Sequence, residues 1–388
     1  MDDKLAHGWP LVEDFSTLKA QADCWPIGED FENVLYQESF EPQSGWPSSR
    51  FTYFVDPING DDTDTGLNWD HAFLTAQEAV IQYISDKHDY CAAHGLDESR
   101  GINGVIFLGA GDHLPPNATS PIIEIPGWSA NGADTGGADG LMIFGVNENG
   151  RVLLEGGATN NQSLIHIAGA RGIRIMNLYF HRGLRTGNTA DILLTDCDNT
   201  VNKPPGLATR HSDYFEIFGC HFLGDLSADA ESSPYAIWCQ SGNHGNIEYN
   251  QFNDRVTNPD EAAGVYLSTR NADPARVRIT YNIFAGQDDF DIIEEPGTVV
   301  LGLNIYSNYF KRYGRGPGGT AITTTTAISF DNGQAAEYRP IITRNMFMGW
   351  TSLDATGAGD AIRDVMGAAN MDAGTDYYGN DNENLLSS

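Results

Sequence analysis

Five oxygen-bearing side chains fall close together at Asp56, Asn59, Asp61, Asp62 and Asp64. Carboxylate and amide oxygens are the donors that Ca2+ prefers, so this loop is a candidate Ca2+ site, although its spacing does not match the helix-flanked calcium loop and an acidic turn explains it equally well. A second group holds acids at Asp288, Asp289, Asp291, Glu294 and Glu295, with bases at Arg276, Arg278, Lys311, Arg312 and Arg315. Removing the proton beside a uronate carboxyl needs a base together with a cation held by carboxylates, and these residue types supply both. Their spacing singles out no constellation, and solvent-facing turns of an acidic protein are the competing reading. The ten histidines show no HExxH pairing, and neither a phosphate-cradling Gly-rich loop nor a nucleophile elbow is present. Gly314-Arg-Gly-Pro-Gly-Gly319 reads as a turn.

Composition narrows the partners. The 388 residues carry a formal charge of −31, with lysine only at positions 4, 19, 87, 203 and 311. Such a surface repels nucleic-acid phosphates, and no basic cluster offsets it locally, so no nucleic-acid partner is expected. No apolar run is long enough to span a bilayer, and Met1-Asp2-Asp3-Lys4 lacks the basic-then-apolar layout of a secretory leader, so no membrane insertion is expected. The cysteines at 24, 91, 197, 220 and 239 have neither zinc-site spacing nor the density of a disulfide framework. They read as buried small hydrophobes, with Cys220 and Cys239 placed to stack on neighbouring coils.

The elements that must position these residues are announced by a repeat. Ile173-Arg-Ile-Met-Asn-Leu-Tyr-Phe180, Phe215-Glu-Ile-Phe-Gly-Cys-His-Phe222, Asn246-Ile-Glu-Tyr-Asn-Gln-Phe252, Val277-Arg-Ile-Thr-Tyr-Asn-Ile-Phe284, Leu303-Asn-Ile-Tyr-Ser-Asn-Tyr-Phe310 and Ile341-Ile-Thr-Arg-Asn-Met-Phe347 share alternating apolar residues, a polar corner and a closing Phe. The Phe recurs at intervals of 42, 30, 32, 26 and 37 residues. Intervals so uneven exclude a regular propeller and suit a solenoid with fixed strands and variable turns. Eight to ten coils at about 4.8 Å each make a rod on the order of 40 to 50 Å long. Period-two alternation turns Ile175, Ile217, Ile247, Ile279 and Ile305 inward as a ladder, with the Phe residues as a second stack. Asn177, Asn250, Asn282, Asn308 and Asn345 fall at the bend, where Asn tolerates the left-handed conformation and bonds its stacked neighbours.

Several stretches resemble the pectate-lyase-like β-helix family. Phe54-Val-Asp-Pro-Ile-Asn-Gly-Asp-Asp-Thr-Asp-Thr-Gly66 followed by Ala72-Phe-Leu-Thr-Ala-Gln-Glu-Ala-Val80 is similar to that family's entry strand, acidic turn and capping helix. Gly104-Val-Ile-Phe-Leu-Gly-Ala-Gly-Asp-His113 and Leu141-Met-Ile-Phe-Gly-Val-Asn-Glu-Asn-Gly150 resemble its first coils, and Asp376-Tyr-Tyr-Gly-Asn380 its closing segment. The resemblance implies an all-β fold, a right-handed parallel β-helix with an N-terminal capping helix. It also implies a polysaccharide-acting candidate site. Gly242-Asn-His-Gly245 and Gly286-Gln-Asp-Asp289 resemble polygalacturonase elements, which makes Asp288, Asp289 and His244 candidate catalytic residues. Their order is reversed relative to that group, and a counterpart of its Arg-Ile-Lys is missing.

The expected organisation is an extended N-terminal arm over 1–50, an entry strand and capping helix over 51–100, the β-helix over 101–350 and a closing segment over 351–388. The helix is expected near Phe73 to His88. The arm holds Trp9-Pro10, Trp25-Pro26 and Trp46-Pro47. Proline prevents regular ladders while large aromatics need burial, so Trp9, Trp25 and Trp46 are candidate partner-binding anchors. By family analogy the expectation is an exterior virion protein of a tailed phage, a capsid decoration or tail appendage whose partners are capsid or tail proteins, with homo-oligomers and a host glycan as further partners. The alternative is an extracellular or tail-borne polysaccharide lyase or glycoside hydrolase.

Overall fold

The computed structural model describes residues 51–96, 103–117, 120–127, 137–147, 150–156, 163–182, 190–195, 211–223, 235–240, 242–253, 263–268, 275–286, 290–295, 300–315, 321–324, 326–330, 341–348, 352–355 and 360–364. Trp9, Trp25, Trp46, Asp288 and Asp289 therefore lie outside the described residues. Among the described residues the chain winds through three all-parallel sheets of nine, eight and nine strands, called here A, B and C. Successive coils add one strand to each sheet, and the architecture is a right-handed parallel β-helix. Eight spacings of about 4.8 Å give sheet A a length of about 38 Å. A short antiparallel pair, Tyr313–Arg315 with Ala321–Thr323, projects from one coil.

The register follows the side-chain pattern. Ile106, Ile143, Ile175, Ile217, Ile247, Ile279, Ile305 and Ile342 align across sheet A, and all are fully buried. Across sheet B, Phe180, Phe222, Phe252, Phe284, Phe310 and Phe347 stack with centroids 4.6 to 5.0 Å apart. A one-residue slip would turn each ladder into water, which is why the pattern specifies the pairing.

At the corner between sheets A and B the structure corrects the asparagine expectation. Asn250, Asn282, Asn308 and Asn345 do form a buried ladder, but the left-handed residue is the one before each of them: Tyr249, Tyr281, Ser307 and Arg344, with φ of 56 to 57°. Asn177 takes that left-handed place itself, with φ 57°, so its coil puts Leu178 at the ladder position. In the next coil the rung is Cys220, whose backbone N–H donates to Asn250 Oδ1 at 2.9 Å. Cys220 thus sits at this corner, while Cys239 aligns with Leu194 and Leu267 in sheet C, and the two do not stack.

The capping helix α1 spans Ala76–His94, starting and ending later than expected. Thr75 sets its start, because its hydroxyl caps Glu78 N–H while Asp62 accepts from both Thr75 N and Oγ1. Gly95, with φ 62°, ends it in a left-handed cap. Its buried face, Ala76, Ala79, Val80 and Tyr83, joins the main core, and fully buried Lys87 donates to the carbonyls of Gly137 and Asp139, both at 3.0 Å. The helix thereby covers the open end of the first coil, where core side chains would otherwise meet water. Thr52–Val55 stands where the entry strand is expected and opens sheet A, and Ser352–Ala355 and Asp360–Asp364, beyond residue 350, join sheet C.

Candidate functional site

The outer face of sheet A changes character along the rod. At its N-terminal end the outward column is Phe54, Phe107, Phe144, Met176 and Phe218. From there on the face becomes polar, with Arg174, Glu216, Asn246, Arg278 and Asn304 in one outward column and Glu248, Thr280, Tyr306 and Thr343 in the other. Arg174 Nε lies 3.2 Å from Glu216 Oε2, Thr280 Oγ1 donates to Glu248 at 3.1 Å, and Arg278 donates to Tyr306 OH at 3.3 Å. Burial holds the Glu216 carboxyl above the ordinary carboxylate range, with Arg174 opposing that shift and the charge on Glu248 adding to it. Two carboxylates on neighbouring strands, one biased toward its protonated form, are the raw material of general acid and base chemistry.

Left-handed turns edge this face on both sides. On the side facing sheet B run Tyr249 and Tyr281, stacked at 4.9 Å, with Tyr306 edge-on at 5.4 Å. On the side of the incoming turn, Tyr214, His244 and Arg276 have φ of 58, 59 and 54°, in the place that Gly172 and Gly302 take in flanking coils. Each such residue costs roughly 1–2 kcal/mol relative to glycine, so three in adjacent coils mark a position where the side chains are used. Tyr214, 60 % exposed, stacks on His244 at 4.8 Å, and Arg276 Nη1 meets His244 Nε2 at 2.7 Å. Arg276 is a donor only, so His244 Nε2 is the acceptor in this contact.

His244 is thus placed with Tyr214 and Arg276 beside the polar face. The glycines around it have a packing cause: a Cβ on Gly245 would fall 2.0 Å from the Phe215 ring, and one on Gly242 2.9 Å from it. The mixed acid and base group proposed from sequence is dispersed. Arg278 lies on sheet A, exposed Lys311 on sheet B, and Asp291 and Glu294 on sheet C, so these four do not share a sheet. Asp291 is fully buried, and Glu294 Oε1 accepts from Val300 N. The sequence pattern missed Glu216, Glu248, Tyr214 and Tyr281, although their outward phase in the repeats was the available signal.

In the candidate Ca2+ loop each carboxylate has its own local donor, and Asn59 Nδ2 donates to Asp56. Asp56 accepts from Ile58 N and Asn59 N, Asp61 from Thr63 N and Oγ1, Asp62 from Thr75, and Asp64 meets His71 at 3.3 Å. Among the described residues no three His, Cys, Asp or Glu side chains converge on a point that could hold a metal. The oxygens of this loop are engaged in shaping the turn and in starting α1.

Asp291 carries a pH dependence. Burial raises its carboxyl well above the ordinary range, and among the described residues neither oxygen has a hydrogen-bond partner. The native state therefore keeps a proton that the unfolded chain releases above about pH 4, so this residue's contribution to stability falls as pH rises. Asp291→Asn is expected to match the parent protein in urea denaturation near pH 4 and to exceed it at pH 7. Equal stabilities at pH 7 would show Asp291 to be solvated.

No family model matches the chain, and no curated protein matches it. Among solved structures it is similar to a rhamnogalacturonan lyase at 9 % identity, over 77 % of this chain and 68 % of that one, with a TM-score of 0.49. It is also similar to a surface adhesin of Streptococcus pneumoniae at 14 % identity, over 71 % and 75 % of the two chains, with a TM-score of 0.40. A tailspike protein of bacteriophage CBA120 is 10 % identical over 92 % and 67 %, with a TM-score of 0.24. At these scores the likenesses carry no argument about activity.

Proposed function

We propose that the protein is an exterior structural rod of a tailed-phage virion, a capsid decoration or tail appendage, joined to a capsid or tail protein through residues 1–50. The observation behind this reading is where that segment meets the fold: Phe51 adjoins Thr52–Val55, the edge strand of sheet A, at the end covered by α1. Attachment there leaves the full stack of coils projecting outward. Trp9, Trp25 and Trp46 are the anchors, since Trp buries large area with little rotamer loss and adjoining Pro lowers the entropy of ordering. The test is incorporation into particles, counted by electron microscopy and quantitative mass spectrometry. Trp9→Ser with Trp25→Ser is expected to lower copies per particle roughly tenfold or more, while the soluble protein stays folded. Unchanged incorporation overturns the reading.

A second reading, a polysaccharide lyase or glycoside hydrolase, is favoured by the Glu216 and Glu248 carboxylates on the tyrosine-edged face. A host glycan would be its substrate. Release of unsaturated or reducing ends by the isolated protein, with or without Ca2+, would replace the structural reading if Glu216→Gln or Asp288→Asn abolished it.

A further inference from the structure

At the incoming turn of sheet A a row of planar side chains stands on neighbouring coils. Gly172, Tyr214, His244, Arg276 and Gly302 follow one another in it, each of the first four donating its backbone N–H to the turn of the next coil. The Tyr214 ring stacks on the His244 imidazole at 12° on one side only. On its other side the equivalent residue is Gly172, which offers no side chain, and Tyr214 is left as the most exposed of the described rings. One ring face is therefore open. At the far end Gly302 leaves Arg276 uncovered in the same way, since a Cβ there would stand 3.5 Å from Arg276 Cγ.

Charge along this edge runs against the rest of the chain. Arg171 lies 3.3 Å from Asp213 and Arg174 3.2 Å from Glu216, so those two are neutralised. Exposed Arg276 and Arg278 meet no carboxylate among the described residues; each gives one donor, to His244 and to Tyr306 OH, and the rest of each guanidinium remains available. Glu248, on the adjoining strand, is engaged by Thr280. In a chain of net charge −31, two neighbouring arginines without a counter-ion are placed for an anion from outside.

We propose that this edge of sheet A binds an anionic glycan, with an acidic group held by Arg276 and Arg278 and a sugar ring resting on the open face of Tyr214. The C–H face of a pyranose packs on an aromatic ring, and the arginine fork matches a carboxylate or sulfate. Tyr214 and Arg276 stand two strand spacings apart, about 10 Å, so the ligand is a chain rather than a single sugar. An acidic peptide would dock by adding to a free strand edge or by seating apolar side chains in pockets. The strands that carry this row are paired on both sides, and its outward neighbours are Glu216, Asn246 and Asn304, so neither mode is offered. Such binding makes the rod a receptor-recognising element, and it rests neither on the attachment reading nor on turnover.

The isolated full-length protein is tested on an array of uronate-bearing, sialylated and sulfated glycans, with neutral glycans and polyglutamate as controls. Retention of an anionic glycan, weakened by added salt, is expected. In titrations of that glycan, Arg276→Gln with Arg278→Gln and, separately, Tyr214→Gly are each expected to raise Kd about tenfold or more. Tyr214→Gly separates binding from folding, because at φ 58° glycine relieves strain and the thermal midpoint should hold or rise. The proposal is overturned if no anionic glycan is retained, if neutral glycans or polyglutamate bind as well, if either variant binds as the parent protein does, or if Tyr214→Gly lowers the midpoint. Release of new ends from the retained glycan is scored apart. Binding without release upholds this site and removes the enzymatic reading, whereas release with unchanged binding in both variants does the reverse.

Discussion

Asn282→Ala is expected to lower unfolding free energy by about 3 to 5 kcal/mol. The Asn282 side chain uses its full bonding capacity inside the corner. Oδ1 accepts from Asn250 N at 2.9 Å and Asn250 Nδ2 at 3.1 Å, while Nδ2 donates to Ile247 O at 2.8 Å and Asn308 Oδ1 at 3.0 Å. Truncation leaves the buried Asn250 N–H without its acceptor, worth roughly 1–3 kcal/mol, and removes a further bond each from Asn250 Nδ2, Asn308 Oδ1 and the Ile247 carbonyl. Urea denaturation of the variant beside the parent protein measures the loss, and hydrogen exchange at Asn250 locates it. A loss below about 1 kcal/mol would mean that water replaces the amide and that the corner is wetter than its zero to two per cent exposure at Asn250, Asn282, Asn308 and Asn345 indicates.

Phe284→Ala is expected to cost a similar amount, about 3 to 5 kcal/mol, by a different route. Its ring is fully buried between Phe252, at 4.6 Å and 2°, and Phe310, at 5.0 Å and 9°. On the sheet C side the ring lies against Gly264, where a Cβ would stand 2.9 Å from it, so that position has no side chain to swing into the gap. The cavity therefore stays open and both ring contacts are lost. Phe284→Leu, which refills part of the volume, should recover about half of the stability. If alanine and leucine behave alike in thermal denaturation, the stack is not what holds sheet B to its neighbours. Because each coil contacts only the next, both substitutions should release hydrogen-exchange protection in the adjoining coils before the distant ones.

The sequence by itself determined the solenoid, the inward phase of Ile279 and Phe284, and the corner at which Asn250, Asn282, Asn308 and Asn345 bond one another. These follow from period-two alternation and a recurring spacing, which are local properties that stacking merely repeats. The tertiary structure decided what depends on lateral alignment of coils of unequal length. Cys220 and Leu178 share a column with the asparagines although neither resembles them, and Asn177 stands one place earlier in the left-handed turn. Glu216 and Glu248 lie on adjacent strands 32 residues apart in chain, Asp291 that looked reactive faces the core, and Arg278 and Glu294 fall on different sheets. Turn lengths set which residues share a face, and those lengths carry no periodic signal. Linear proximity therefore grouped acids and bases that the winding of the chain separates, and it concealed the aromatic-edged polar face that the winding assembles.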